Sequence, residues 1–327
     1  MEKNDLKIVV VGGGTGTYTV LSGLKRFNKN LTAVVTMMDS GGSSGRLRDE
    51  FGILPPGDVR QSIVALSADT SVLRKLFNYR FEKGQGLEGH SFGNIFLTAL
   101  SKVTGGMDKA IQETSKILNI RGRVLPVTTD HAHLVARYED GNVVEGEGNI
   151  DEPKHDGKLK IEEISLEPSP APYEETLEAI KDSNVIVLGP GDLFTSIIPN
   201  LLVPEVAKAI CRSGAIKIYI VNLMTKYGQT YGFSAESHVS ALEKYLGKGC
   251  LNFVFINKTS LPDDILKKYE EEHDFPVEDD LEDRGYKVVR TDLLAEGPIK
   301  KAKGDTLKRS LIRHDSKKLA ESIMRIV

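Results

Sequence analysis

The N-terminal segment alternates between short apolar runs and apolar positions at helical spacing. Residues 6–11 form a run rich in β-branched side chains, and it ends at three glycines. Such a run predicts a parallel strand buried on both faces. From Thr17 to Phe27 apolar residues recur at helical spacing, and residues 31–37 form a second run. The segment therefore predicts a βαβ unit with a glycine turn after its first strand.

The same alternation resumes in the second half of the chain. Apolar runs predict strands at 185–188, 216–221, 253–256 and 287–290. Helical spacing predicts helices near 203–211, 236–246, 264–271 and 319–326. Together with the N-terminal unit, this order predicts an α/β fold with a doubly wound, mostly parallel, Rossmann-like sheet.

Residues 123–167 differ from this pattern. The stretches VLPVTT, HLVARY and KIEEISL resemble strands, and turn sequences join them with no helical pattern between. Residues 38–57, which are rich in glycine, serine and proline, predict a long functional loop. We therefore expect a single domain over residues 1–327 with a small antiparallel β insertion at about 123–167.

Composition narrows the class of protein. Of the 327 residues 40% are hydrophobic, and the net charge is -3, which argues against a nucleic-acid partner. Apolar runs fall short of the roughly 20 residues that cross a bilayer, and the N-terminal run is too short for a signal peptide core. Cys211 and Cys250 stand apart from any metal-ligand spacing, which fits isolated cysteines in a reducing compartment. We expect a cytoplasmic protein without a membrane partner.

Three loops rich in glycine and hydroxyl groups follow predicted strands, at 12–17, 38–46 and 189–196. The carboxyl ends of parallel strands share one edge of a sheet, where α/β proteins bind ligands. Glycine lets a backbone approach phosphate closely, and helix N-termini add N–H donors. The candidate ligand-binding residues are Gly12, Gly13, Gly14, Thr15, Gly16, Asp39, Ser40, Gly41, Gly42, Ser43, Ser44, Arg46, Asn94, Gly189, Gly191 and Asp192.

The first loop nearly matches the dinucleotide fingerprint. Counted from Gly12, GxGxxG requires glycine at the position of Thr17, and no lysine follows as in a Walker A loop. NAD is therefore one candidate ligand, with Asp39 as the acidic residue after the second strand. The alternative is that the glycines only make a tight strand-to-helix turn.

Charged and polar residues near these loops have two interpretations each. Arg46, Arg48 and Arg60 either contact phosphate or are solvated surface arginines. Asp39 is a candidate for holding a ribose hydroxyl or a divalent metal.

Three further polar residues have a helix-capping alternative to a ligand role. Asp58 precedes Gln61 by three residues, a capping-box pattern. Asn94 and Asp192 are either helix caps or ligand contacts.

Six segments together resemble the gluconeogenesis factor family, the bacterial branch of the CofD-like (2-phospho-L-lactate transferase-like) proteins. They span about residues 8–256. The segments are VVVGGGTGTYTVLSGL from Val9, MMDSGGSSGRLR from Met37, LPPGDVRQSIVALS from Leu54, GHSFGNIFLTAL from Gly89, LGPGDLFTSIIPNLLVPEVAKAI from Leu188 and VNLMTKYGQTYGFSAESHV from Val221.

The resemblance implies a Rossmann-like core and a ligand pocket at these loops. Transferases of the wider family use a divalent metal to join a phospholactyl group, carried as a nucleotide diphosphate ester, to a deazaflavin alcohol. By that match, Asp39 and Asp58 would hold Mg²⁺ and act in catalysis. The transferases carry paired aspartates after the second strand, whereas this chain has Met38 and Asp39.

Three functional hypotheses follow. The resemblance favours a regulator of carbon flux and cell-wall synthesis that binds UDP-N-acetylglucosamine and is needed for gluconeogenic growth and normal cell shape. The second hypothesis is a metal-dependent transferase of phosphate-linked groups, and the third is an NAD-dependent oxidoreductase. The base and sugar of the ligand and any protein partner stay open, and a two-fold homodimer is the default assembly.

Overall fold

Ten strands form two sheets in the computed structural model, which describes residues 5–68, 72–297 and 310–327. The strands are β1 (Ile8–Gly12), β2 (Leu31–Val35), β3 (Arg123–Pro126), β4 (His133–Tyr138), β5 (Val143–Glu145), β6 (Ile161–Glu167), β7 (Val185–Leu188), β8 (Ile216–Ile220), β9 (Phe253–Asn257) and β10 (Lys287–Thr291).

Helices flank the larger sheet. They are α1 (Gly14–Leu24), α2 (Gly42–Phe51), α3 (Gly57–Leu66), α4 (Val72–Asn78), α5 (Phe92–Thr104), α6 (Met107–Ile117), α7 (Glu147–Asp151), α8 (Glu174–Lys181), α9 (Ile198–Leu202), α10 (Val206–Arg212), α11 (Ala235–Leu246), α12 (Asp263–Glu271) and α13 (Ser316–Ile326). A π-helical turn, Leu193–Ile197, precedes α9.

The larger sheet is parallel throughout and has the order β3-β2-β1-β7-β8-β9-β10. This is the Rossmann order extended by one strand, so the predicted doubly wound α/β fold is confirmed. β1, β2 and β7 are buried along their whole length. The order reverses between β1 and β7, and a crevice opens there beyond the carboxyl ends of the strands.

The antiparallel insertion is smaller than expected. β5, β4 and β6 form its three-stranded sheet, but β3 pairs in parallel with β2 in the main sheet. The predicted start at residue 123 is therefore wrong. Residues 124–127 are apolar without alternation and all buried, which is typical of a parallel strand covered on both faces. Helix α7, absent from the sequence prediction, lies between β5 and β6.

The segment at 38–57 was predicted as a loop, but it contains helix α2. The buried face of α2 consists of Ser43, Ser44 and Gly45 together with a single large apolar residue, Leu47. A helix with so little apolar surface leaves almost no hydrophobic periodicity in the sequence. Its small polar face packs along the crevice instead of on the core.

The cysteines are not isolated, contrary to the sequence expectation. Cys211, in α10, and Cys250, before β9, form a disulfide with their Cα atoms 5.1 Å apart. Gly247 at the end of α11 lies against both sulfur atoms. The pairing depends on the packing of α10 against α11, which residue spacing does not reveal.

Within the described ranges, no single helix is long and apolar enough to span a bilayer. The bent pair Leu193–Leu202 and Val206–Arg212 meets the length and composition criteria together, with an 83° bend. Much of that pair is buried in the core of the fold.

Helices α1 and α13 approach each other closely at Gly23. A Cβ at Gly23 would overlap the carbonyl oxygen of Ser316. Gly23→Ala should therefore destabilise the protein by about 1–3 kcal/mol, although alanine normally stabilises a helix interior. Urea denaturation measures the change, with Gly214→Ala as control because a Cβ there meets nothing within 4 Å. Equal midpoints for the two variants would contradict the packing.

Candidate functional site

A cavity of about 600 Å³ lies at the carboxyl ends of the central strands. All three glycine-rich loops contribute to its wall. The sequence-predicted residues that line it are Gly13, Gly14, Thr15, Gly16, Asp39, Gly41, Gly42, Ser43, Ser44, Asp58, Arg60, Asn94, Gly191, Asp192, Thr195 and Ser196. The structure thus brings most of the candidate set around one space, while their binding role stays a prediction.

The first and third loops meet backbone to backbone. A Cβ at Gly16 would overlap the carbonyl group of Pro190, so only glycine fits at this crossing. Gly14 has φ +58°, a left-handed conformation that glycine adopts without strain. Helix α1 therefore begins directly at the cavity, between the two loops.

Three helices begin at the cavity without a side-chain cap. Gly13, Gly41 and Pro56 occupy the N-cap positions of α1, α2 and α3, and none of them accepts a hydrogen bond from the helix through a side chain. The first-turn N–H groups of a helix need partners that lie outside the helix. Helix N-termini favour anions, and three of them lie at this one cavity together with the carboxylates of Asp39 and Asp58.

The capping interpretations of Asp58 and Asn94 are wrong, whereas Asp192 occupies the N-cap position of the π-helical turn. Asp58 lies inside the first turn of α3, and its carboxylate packs against Gly13. Ser91 caps α5 by accepting from the Asn94 N–H, which leaves the Asn94 amide for the cavity wall. Asp192 makes no side-chain cap bond and instead accepts from Lys226 Nζ at 2.7 Å.

Four residues of the candidate ligand-binding set lie outside the cavity lining, and so does Arg48, whose Nε donates to Asp49 Oδ1 at 2.9 Å. Gly12 ends β1 in the core, and Gly189 makes the turn after β7 with φ +74°. The exposed Arg46 donates from Nη2 to the Glu88 carbonyl at 2.8 Å. Ser40 connects the second loop to the insertion, since its Oγ accepts from the Gly148 N–H at 2.8 Å.

The insertion supplies two acidic residues that the sequence analysis missed. Helix α7 places Glu147 and Asp151 in the cavity wall. Lys226 Nζ donates to Asp151 as well as to Asp192, and Gln229 Nε2 donates to Asp151 Oδ1 at 2.9 Å. Burial alone would lower the pKa of Lys226, but Asp192 and Asp151 raise it, so this side chain stays charged. The network joins the insertion to the third glycine loop.

Glu147 lies beside Asp39. Glu147 Oε2 accepts from the Ser40 N–H at 3.2 Å, and Asp39 Oδ1 accepts from the Gly41 N–H at 3.0 Å. Burial raises the pKa of Glu147 well above its usual range, and the negative charges of Asp39 and Asp151 raise it further. A neutral Glu147 can donate a hydrogen bond to a ligand or to Asp39.

The C-terminal part of the chain forms the far wall of the cavity, which the sequence analysis also missed. The Tyr269 hydroxyl accepts from the backbone N–H groups of Leu311 and Ile312, at 2.8 and 3.3 Å, and so holds this segment over the opening. Burial lowers the pKa of the cavity-lining His314 to about 4. This wall is less rich in glycine and combines Tyr269, Met224 and Ile312 with polar groups.

The predicted metal site consists of the carboxylates of Asp39 and Asp58. Over residues 5–68, 72–297 and 310–327, no group of three or more acidic, histidine or cysteine side chains is arranged to hold a metal ion. Asp39 and Asp58 both line the cavity. Because Mg²⁺ is commonly held by one or two carboxylates plus substrate phosphates, this donor set fits an ion that arrives with its ligand.

Comparison with known proteins places this chain in a family. The family model described as 2-phospho-L-lactate transferase CofD matches residues 8–294. The chain is 41% identical to the protein named gluconeogenesis factor of Bacillus subtilis strain 168, over 97% of each chain. It belongs to the CofD family. Within that family it groups with the proteins named gluconeogenesis factors, since it is also 42% identical to the one from Halalkalibacterium halodurans over 97% of this chain and 95% of that protein.

A solved structure has the same fold as this CofD family member. It is a crystal structure, at 2.60 Å resolution, of a UPF0052 family protein from Bacillus halodurans. The TM-score is 0.88 at 39% identity, and the match covers 99% of each chain. The parallel sheet and the insertion therefore form one family architecture.

Glu147→Gln tests the carboxylate pair. The folded-state pKa of Glu147 is raised, so the folded protein binds more protons than the unfolded chain above about pH 4.5, and stability falls as pH rises through this window. The glutamine variant has no carboxyl group to ionise at this position, so it does not lose stability in this way as pH rises. Its melting temperature, measured with EDTA, should exceed that of the wild type at about pH 8, with a smaller difference at about pH 5.

The control for this variant is Glu152→Gln, which removes an exposed carboxylate from the same insertion. It should change the melting temperature little at either pH. A Glu147→Gln variant that is less stable than the wild type at about pH 8 would contradict the assignment of a strained carboxylate pair.

Proposed function

We propose that this CofD family member is a regulator that binds a nucleotide sugar resembling UDP-N-acetylglucosamine and supports gluconeogenic growth and cell shape. The observation that carries the proposal is the convergence of three helix N-termini without side-chain caps on one cavity. A diphosphate is the kind of anion that such an environment favours.

The cavity fits the other parts of such a ligand as well. Its volume of about 600 Å³ lies in the usual range for small-molecule sites. The wall formed by the glycine loops carries the hydroxyl groups of Thr15, Ser43 and Ser44, which can donate to phosphates. The far wall carries Tyr269 and Ile312, which can contact a base or a sugar. One end is thus rich in donors and the other has larger, partly apolar side chains.

The residue before Asp39 favours binding over metal-dependent transfer. Family transferases carry a second aspartate there, whereas Met38 is 1% exposed and packs in the core. The substitution leaves Asp39 without a neighbouring carboxylate at this point in the chain. Glu147 lies beside Asp39 but has a raised pKa, so it is a poor substitute for an ionised metal ligand.

Calorimetric titration with UDP-N-acetylglucosamine tests the proposal. We expect saturable binding by the wild type and roughly tenfold weaker binding by Thr15→Val, which loses one hydroxyl donor to a charged group. Thr104→Val is the matched control, because its hydroxyl bonds within α5 to the Leu100 carbonyl. An absence of heat change at millimolar ligand would falsify the proposal.

Arg46→Glu is a separate arm of the same titration. The sequence predicts that Arg46 contacts phosphate, but in the structure Arg46 lies outside the cavity lining. We expect the variant to bind more weakly, because its new negative charge repels the phosphates of the ligand. Unchanged affinity would remove Arg46 from the site.

A metal-dependent transferase is the second candidate function, and the pair of cavity carboxylates favours it. Asp39 and Asp58 would hold Mg²⁺, which would neutralise charge on a leaving nucleotide while a phosphate-linked group moves to a hydroxyl. Loss of turnover of a nucleotide-linked substrate in Asp39→Asn would support this function. If the protein binds nucleotide-linked donors but turns none of them over, the transferase function is excluded.

NAD is a weaker alternative ligand, based on the near-match of the first loop to the dinucleotide fingerprint. The order of the sheet is that of dinucleotide-binding proteins, but a fold does not define a function. Displacement of bound UDP-N-acetylglucosamine by NAD in the titration would favour this ligand. Additive binding of the two would place them at different sites.

A further inference from the structure

A chain of four buried side chains lies behind the second glycine loop. Arg60 Nε donates to Asn94 Oδ1 at 2.9 Å, and Asn94 Nδ2 donates to Ser43 Oγ at 3.1 Å. Ser43 Oγ lies 2.9 Å from His90 Nδ1. All four residues are at least 92% buried, because the most exposed, Arg60, is 8% exposed. Ser43, Asn94 and Arg60 line the cavity, and His90 lies behind Ser43.

The arginine fixes the direction of the first two hydrogen bonds. A guanidinium group only donates, so the Asn94 side chain must present its oxygen to Arg60. Its NH₂ group then faces Ser43, whose oxygen accepts. The single hydroxyl proton of Ser43 is left to donate elsewhere.

Two acceptors compete for that proton. One is His90 Nδ1, when this nitrogen carries no proton. The other is an anion bound at the N-terminus of α2, where Ser43 lies in the first turn. If Ser43 donates to the anion, its oxygen faces His90 Nδ1, and two lone pairs repel each other unless Nδ1 carries a proton.

The surroundings of His90 keep the imidazole ring neutral. Burial lowers its pKa, and the positive charge of Arg46 lowers it further. Glu50 acts in the opposite direction, and Arg80 again lowers the pKa. A neutral ring carries one proton, on either Nδ1 or Nε2. The tautomer therefore determines whether Ser43 donates to the ring or into the cavity.

We propose that a phosphate group of the ligand takes the hydrogen bond of Ser43 and that His90 permits this by changing tautomer. In the free protein, Ser43 donates to Nδ1, and Nε2 carries the ring proton. In the complex, Nδ1 donates to Ser43, and Ser43 donates to a phosphate oxygen. Nε2 gives its proton to water and Nδ1 takes a proton from water, so the charge of the ring does not change.

This inference rests on the proposed nucleoside diphosphate ligand and makes His90 a positioning residue. His90 contacts Ser43, whereas Ser43 faces the ligand. The arrangement also implies specificity. With a ligand that lacks a phosphate group, the Ser43 hydroxyl keeps donating to His90 Nδ1. Uridine alone should therefore not change the tautomer.

Nitrogen NMR of protein labelled with ¹⁵N-histidine tests the tautomer directly. The two ring nitrogens of His90, assigned by comparison with His90→Gln, should exchange their protonated and unprotonated shifts when UDP-N-acetylglucosamine is added. Uridine should leave them unchanged. Unchanged shifts in the UDP-N-acetylglucosamine complex would overturn the proposal.

Binding by three variants adds a readout that a structural role would not reproduce. Ser43→Ala should weaken UDP-N-acetylglucosamine binding about 10- to 100-fold, because a hydrogen bond to a charged group is lost. His90→Leu should also weaken binding, because no ring N–H remains to fix the direction of the Ser43 hydroxyl. His90→Gln should stay within a few-fold of the wild type, since its amide can donate or accept. Ser101→Ala, which removes another buried hydroxyl from the α5 region, is the control.

The outcomes separate this inference from the proposed function. Wild-type binding with unchanged affinity in Ser43→Ala overturns the inference and leaves the proposed function standing. No binding of UDP-N-acetylglucosamine by the wild type removes both. If His90→Leu does not fold, the comparison of Ser43→Ala with His90→Gln and the NMR shifts still decide the question.

Discussion

The close approach of two glycine loops is the constraint on which the site depends. Gly16 at the start of α1 lies against the backbone of Pro190 in the loop after β7, and this contact leaves no room for a side chain. The contact occurs where the strand order reverses. Because β1 and β7 pair in parallel, the loops that follow them begin side by side at the same edge of the sheet. Because the loops meet through backbone atoms, the N-terminus of α1 opens directly on the cavity.

The insertion then closes the cavity from a third side. Ser40 and Gly148 connect the second loop to α7, while Lys226 connects Asp151 of α7 to Asp192 of the third loop. These polar contacts place carboxylates close to one another at the opening. Buried, closely spaced carboxylates acquire raised pKa values unless a cation or a donor is supplied. The arrangement thus favours a ligand that provides donors of its own.

Much of the main sheet could be predicted from the sequence, because its strands are continuous apolar runs between helices with an apolar face. The glycine loops could be placed as well, since parallel strands bring their ends together. Helix α2 could not be predicted, because its buried face is Ser43, Ser44 and Gly45. β3 was assigned to the wrong sheet, since short apolar strands of either kind look alike in sequence.

The missed parts of the site have a common cause. Glu147, Lys226 and Tyr269 come from elements that are remote in sequence and meet at the cavity only in the folded chain. A lone glutamate in an insertion or a lone tyrosine in a helix has no distinctive pattern. The capping errors at Asp58 and Asn94 arose because local patterns predicted caps where backbone geometry gave that role to Pro56 and Ser91.

Backbone amide shifts during titration with UDP-N-acetylglucosamine test most directly whether the three helix N-termini hold a diphosphate. We expect the largest changes in the amides of residues 13–16, 42–45 and 57–58, at the starts of α1, α2 and α3. Changes confined to other parts of the chain, or no changes at saturating ligand, would contradict this expectation.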